Sequence, residues 1–161
     1  MNQLLASNTW NDAAAAASEI IFSQIRPRKR ASLERLRLDY DGFIDEFFHS
    51  TSGFVKATAQ WATIGADSLE WGMENGFKIK EDTLVKTLIR KQRDYGPENI
   101  RRFGRQGLMV RMHDKIARLE NLVTNDKNPN NESIDDTVMD IAGYAAIGIM
   151  WENQKFLLPL V

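Results

Sequence analysis

The sequence predicts an all-α fold: a helical bundle with a helical hairpin in its second half and a helical accessory region at its N-terminus. Three observations carry this. Apolar residues recur at spacings of three and four rather than two, strict alternation is scarce, and there are only four prolines to interrupt helices. The 161 residues are 43% hydrophobic and 27% charged, enough apolar material for one compact core and too little chain for two large domains. With 21 Lys plus Arg against 22 Asp plus Glu, bulk charge gives no pull toward nucleic acid or an anionic membrane. The absence of cysteine removes disulfides, thiolate metal sites and a thiol nucleophile.

The N-terminal stretch has no basic start and is broken by Asn2, Gln3, Asn8, Asn11 and Asp12, unlike a secretion signal. Ile141 to Trp151 is too short to span a bilayer, which takes about 20 residues. A soluble, cytoplasmic protein is expected.

Thr9 followed by Asp12 reads as a helix start, and the Ala13 to Ala17 run carries that helix to about Ile25. Arg26-Pro27-Arg28-Lys29-Arg30 then reads as a solvated basic linker in preference to a phosphate grip, which divides the chain into 1–30 and 31–161. This knot is the only candidate arm for nucleic acid, so nucleic-acid binding is not expected. From Ser32, the spacing Leu33, Leu36, Tyr40, Phe43, Phe47 predicts a second helix. The alternation Leu36, Leu38, Tyr40 before Asp41-Gly42 leaves a hairpin open as the alternative. Phe54 to Trp71 is amphipathic, Asn75-Gly76 breaks it, and Glu81 to Lys91 resumes helix with Leu84, Leu88 and Ile89 on one side.

Gly96-Pro97 closes that helix. The following Ile100-Arg101-Arg102-Phe103-Gly104-Arg105-Gln106-Gly107 has three arginines and an aromatic that could bracket a planar, phosphate-bearing ligand, although such loops are commonly plain surface. Gly107 to Asn125 predicts a long helix. At about 100° per residue, Arg111, Asp114, Arg118 and Asn121 share a polar stripe bordered by Lys115, while Glu120 faces elsewhere. The plain reading of that stripe is an exposed face. After the breaker Asn125 to Asn131, with Asn130 or Asn131 as cap, Glu132, Asp136 and Asp140 fall at i, i+4 and i+8 on one face of the next helix, with Tyr144 continuing the line.

Glu132 and Asp136 are explicable as partners of the helix dipole, worth about 0.3 to 1 kcal/mol each. Asp140 is not, because it precedes the apolar run Ile-Ala-Gly-Tyr-Ala-Ala-Ile-Gly-Ile-Met-Trp, where an unpaired carboxylate costs several kcal/mol. Its partner is either a cation of the facing helix, Lys115 or Arg118, or a divalent metal shared with Asp114, Glu132 and Asp136. Mg²⁺ suits such a file of carboxylates, because it is a hard ion that bridges to phosphates.

The blocks KQRDYGPENI, GLMVRMHDKIARLENL and NESIDDTVMDIAGYA resemble the nucleotide modification associated domain of phage proteins, itself similar to all-α MazG-like nucleoside triphosphate pyrophosphohydrolases. The resemblance covers residues about 84 to 153. It implies a metal-binding helical hairpin in which Asp114, Glu132, Asp136 and Asp140 hold Mg²⁺, or Mn²⁺, and serve catalysis. It also implies that Lys91, Arg111, Lys115 and Arg118 hold the phosphates, with Asn121 beside them, while Asp94 and Tyr95 close over sugar or base. The implied reaction splits a nucleoside triphosphate into monophosphate and diphosphate, in the host cytoplasm for a phage protein and within a homo-oligomer. The chain departs from the MazG-like pattern in one respect: in place of an EExxE block stands Arg111-Met112-His113-Asp114-Lys115-Ile116-Ala117-Arg118, with a single acid. A noncatalytic nucleotide-binding module and a helical interaction protein, assembling through Ala13 to Ile25 and Phe156 to Val161, are the alternatives. His49 and His113 read as ordinary surface residues.

Overall fold

The computed structural model describes residues 1–26, 31–48, 55–125 and 133–161. Among these the chain is helical, with no strand. Its helices are α1 (Asn2–Leu5), α2 (Trp10–Ser23), α3 (Leu33–Phe47), α4 (Val55–Glu74), α5 (Glu81–Tyr95), α6 (Glu98–Arg101), α7 (Gly104–Thr124) and α8 (Ile134–Glu152). No helix is long and apolar enough to cross a membrane among the described residues.

Local chemistry sets the starts of three helices. The side chains of Thr9, Ser32 and Ser133 accept hydrogen bonds from the amides of Asp12, Arg35 and Asp136, which satisfies donors that a first helical turn leaves unpaired. The hairpin alternative at Asp41-Gly42 is overturned. The helix α3 runs through it, because Leu36, Tyr40, Phe43 and Phe47 bury one continuous stripe, whereas Leu38 is left in solvent. The cap of α8 is Ser133, and the candidates Asn130 and Asn131 lie outside the described residues. The basic stretch 27–30 and the proposed boundary at 30 lie outside them as well.

One hydrophobic core runs from Leu4 to Phe156, and α4 packed along α8 is its spine. Small residues allow these two axes to approach: a Cβ built on Gly148 would lie 2.4 Å from the Trp61 ring, and one on Gly65 would lie 2.9 Å from the Ala145 methyl. The helices α2, α3, α5 and α7 surround the spine. Residues of the N-terminal half therefore share the core of the second half, with Trp10 edge-on to Phe156 and the Trp10 amide donating to the Pro159 carbonyl at 2.8 Å.

Two polar clusters are buried in this frame. The Arg105 guanidinium makes two bonds of 2.5 Å to the Glu152 carboxylate, with the Arg105 and Glu152 side chains only 6% and 2% exposed. Arg35 joins α3 to α4 through Asp67 at 3.3 Å and Glu70 at 2.9 Å. Asp67 is buried and its Oδ2 meets no hydrogen-bond donor among the described residues. Burial, followed by the facing carboxyl of Asp39, pushes Asp67 up to about 8.

Candidate functional site

The helices α5, α7 and α8 enclose a cleft of about 270 Å³, near the lower end of the range for small-molecule sites. Helical register supplies its walls. Thr87, Lys91 and Tyr95 follow one another at i, i+4 and i+8 along α5, Arg111 and Lys115 stand one turn apart on α7, and Met139, Asp140, Gly143, Tyr144 and Ile147 form one face of α8. Leu84, Leu88 and Ile100 make the apolar floor. Gly143 faces Leu88 of α5, where an added Cβ would make an ordinary van der Waals contact at 3.5 Å.

At the centre stands Asp140, whose side chain is 13% exposed. Its Oδ1 accepts from Lys91 Nζ at 2.7 Å and its Oδ2 pairs with Lys115 Nζ at 3.0 Å. The buried carboxylate thus has its expected partner, one ammonium on each oxygen, of which Lys115 comes from the facing helix and Lys91 from α5. Arg111 makes no ion pair among the described residues and bonds through Nη2 to the Asn99 carbonyl at 3.4 Å. Three cations against one carboxylate leave the cleft with a formal charge of +2.

The remaining predicted site residues are placed elsewhere. Arg118 donates to the Thr137 hydroxyl, which braces α7 against α8. Asn121 accepts from Asn125 Nδ2 on its side-chain oxygen at 2.9 Å. Asp94 and Asp114 are exposed and do not line the cleft. Asp136, near the start of α8, lines an adjoining groove with Asp135, Arg90 and Lys78, and shares Lys91 and Asp140 with the cleft. Glu132 lies outside the described residues. Asn99 and Thr87 line the cleft without having been singled out by sequence reasoning, although the spacing Thr87, Lys91, Tyr95 was available as a signal.

The donor set decides whether a divalent ion fits. Among the described residues, no group of three or more acids or histidines is placed to hold a metal. Both oxygens of Asp140 are committed to lysines, and an ammonium at bonding distance repels an incoming dication. As paired here, Asp140 offers a divalent ion no oxygen free of an ammonium. What the cleft offers is cationic hydrogen-bond donors above an apolar floor, edged by the 69% exposed Tyr95 and the half-buried Tyr144. No family model, curated protein or solved structure matches this chain.

Proposed function

We propose that the protein binds a nucleotide by its phosphates in the cleft between α5, α7 and α8. The observation that carries this reading is the triad Lys91–Asp140–Lys115 with Arg111 beside it: two ammonium groups held ready by one carboxylate, next to a guanidinium with no acidic partner among the described residues. A phosphate oxygen can take over a lysine bond from Asp140 without stranding a buried charge, because the second lysine continues to neutralise the carboxylate. Arg111 adds a planar donor suited to phosphate. Tyr95 and Tyr144 supply aromatic surface for a base.

A second reading is that the same site hydrolyses a nucleoside triphosphate to monophosphate and diphosphate with Mg²⁺ or Mn²⁺. It is favoured by Asp136 and Asp140, one turn apart on α8 and opening on one continuous groove, and by the resemblance of the three sequence blocks to MazG-like enzymes. A cytoplasmic location and a homo-oligomeric state belong to this reading too.

The test is a panel of ribo- and deoxynucleoside triphosphates titrated into the full chain, with and without Mg²⁺, scoring both binding and diphosphate release. The Lys91→Gln/Lys115→Gln double variant is expected to lose at least tenfold in affinity. Metal-independent binding without turnover supports a binding module. Release of diphosphate that stops with chelator and with Asp136→Ala supports the hydrolase. No nucleotide binding under either condition removes both readings.

A further inference from the structure

The arginine-rich stretch after α6 does not open on the cleft just described. It surrounds a second, separate groove of about 660 Å³ that shares no lining residue with the first. Backbone geometry fixes its shape. Gly104 begins α7 at φ +55°, a conformation that disfavours side chains, and a Cβ there would lie 2.8 Å from the Trp151 ring. The indole is therefore set directly against main chain. The Arg105–Glu152 pair forms a rigid, charge-neutral floor, held further by Trp61 Nε1 donating to Glu152 at 3.4 Å.

With Arg105 spent on Glu152, the outward charge belongs to Arg101 and Arg102. Arg101 pairs with Glu98 at 3.3 Å on an exposed turn, where the pair is weak. Arg102 makes no ion pair among the described residues, and its guanidinium lies 5.6 Å over the Phe103 ring. Phe103 is 65% exposed and Leu157 54%, and both line the same groove as the partly exposed Trp151. Isolated apolar residues in solvent need no explanation, but two exposed ones and an indole around one concavity, beside the Arg102 guanidinium, form a shaped surface.

We propose that this groove is a second ligand site, taking a planar aromatic base joined through a sugar to a phosphate, the chemical class of a mononucleotide. The ring would lie against Phe103 and Trp151, and the phosphate would face Arg102 and Arg101. The volume falls within the usual span of small-molecule sites. Charge complementarity favours an anion over a neutral hydrophobe, and the exposed ring favours a planar ligand over inorganic phosphate. The proposal does not depend on the nucleotide reading of the first cleft.

The experiment is calorimetric titration of the full chain with adenosine 5′-monophosphate, with adenosine and ribose 5-phosphate as controls that lack one half of the recognition. It is run in parallel on Arg102→Gln, Phe103→Ser and the Lys91→Gln/Lys115→Gln double variant. Arg102 and Phe103 are exposed, so unchanged melting temperatures are expected for their variants and are checked first. The expected result is binding that survives the double lysine variant, weakens at least tenfold in Arg102→Gln and in Phe103→Ser, and exceeds that of either control by at least tenfold. Binding equal to that of adenosine or of ribose 5-phosphate overturns the proposal, as does binding that disappears only with the lysines. Concentration-dependent self-association in the absence of ligand, abolished by Phe103→Ser, would assign the surface to a second copy of the chain and also overturn it.

Discussion

Replacing Asp140 by Asn tests the phosphate-exchange reading of the cleft by the sign of the change in affinity. In the native protein each lysine contacts one oxygen of this carboxylate, so its negative charge opposes any phosphate that approaches the same ammonium groups. For charges about 6 Å apart at an effective dielectric of about 20, the opposition is about 3 kcal/mol. Lys91 is 48% exposed, and solvent screening there halves the figure to about 1.5 kcal/mol, or about tenfold in affinity. Against this, lysines no longer anchored by a carboxylate lose about 0.5 to 1 kcal/mol when a ligand orders them. The net expectation is that Asp140→Asn tightens binding of a non-hydrolysable nucleoside triphosphate by about threefold, measured by calorimetry in EDTA. If the variant weakens binding as much as Lys91→Gln does, the carboxylate helps to hold the ligand and the phosphate-exchange argument fails. Under the hydrolase reading the same variant loses diphosphate release however tightly it binds.

Asp67 gives the stability curve a pH dependence. Its folded-state value is raised, so the stability linked to its proton is fully present below the unfolded value near 4 and is lost as pH rises through about 8. The excess of the Asp67→Asn melting temperature over the native one is expected to be smallest near pH 4 and to grow as pH rises toward 8, and a constant difference throughout would contradict the raised value. Gly148→Ala drives a methyl into the Trp61 ring and is expected to cost about 2 to 3 kcal/mol in denaturant unfolding. Glu152→Gln strands the buried Arg105 guanidinium and is expected to cost about 3 to 5 kcal/mol, whereas Arg105→Met with Glu152→Leu recovers most of that loss. The triple variant Lys91→Met/Lys115→Met/Asp140→Leu is expected to keep or raise the melting temperature while abolishing nucleotide binding; a collapse in stability would make the triad structural.

Local rules made the helices legible. Thr9 and Ser32 had the right side chains at the right places, and the stripe Leu36, Tyr40, Phe43, Phe47 was sufficient to define α3 once its burial outweighed the short alternation around Leu38. The requirement for an Asp140 partner was also legible, because an apolar run flanking a carboxylate states a desolvation cost without any structure. The second lysine was not. Lys91 and Asp140 are 49 residues apart, and only the packing of α5 against α8 brings them together. Periodicity likewise placed Arg118 and Asn121 on the stripe of Arg111, yet packing turned Arg118 to Thr137 and left Asn121 to Asn125. Angles on one helix tell which residues share a face, and the neighbouring helix decides how much of that face a ligand can reach.

The triad is hard to explain by stability alone. On α8, Ala145 and Gly148 serve the close approach to α4, and Val138, Ile141, Ala142 and Ile149 are fully buried, so an apolar residue at 140 would continue the packing. A carboxylate there is stabilising only to the extent that both lysines remain with it, and one of them is half in water, where an ion pair contributes little. The arrangement is better suited to exchanging partners than to holding a fold. Arg111 points the same way: it lines the cleft beside Lys91, Lys115 and Asp140 and has no acid of its own among the described residues, so an anion entering there meets a donor with no carboxylate to displace. Phosphate is the common anion whose several oxygens can engage two ammonium groups and a guanidinium at once, which is why the ligand proposed for the cleft is a phosphorylated one.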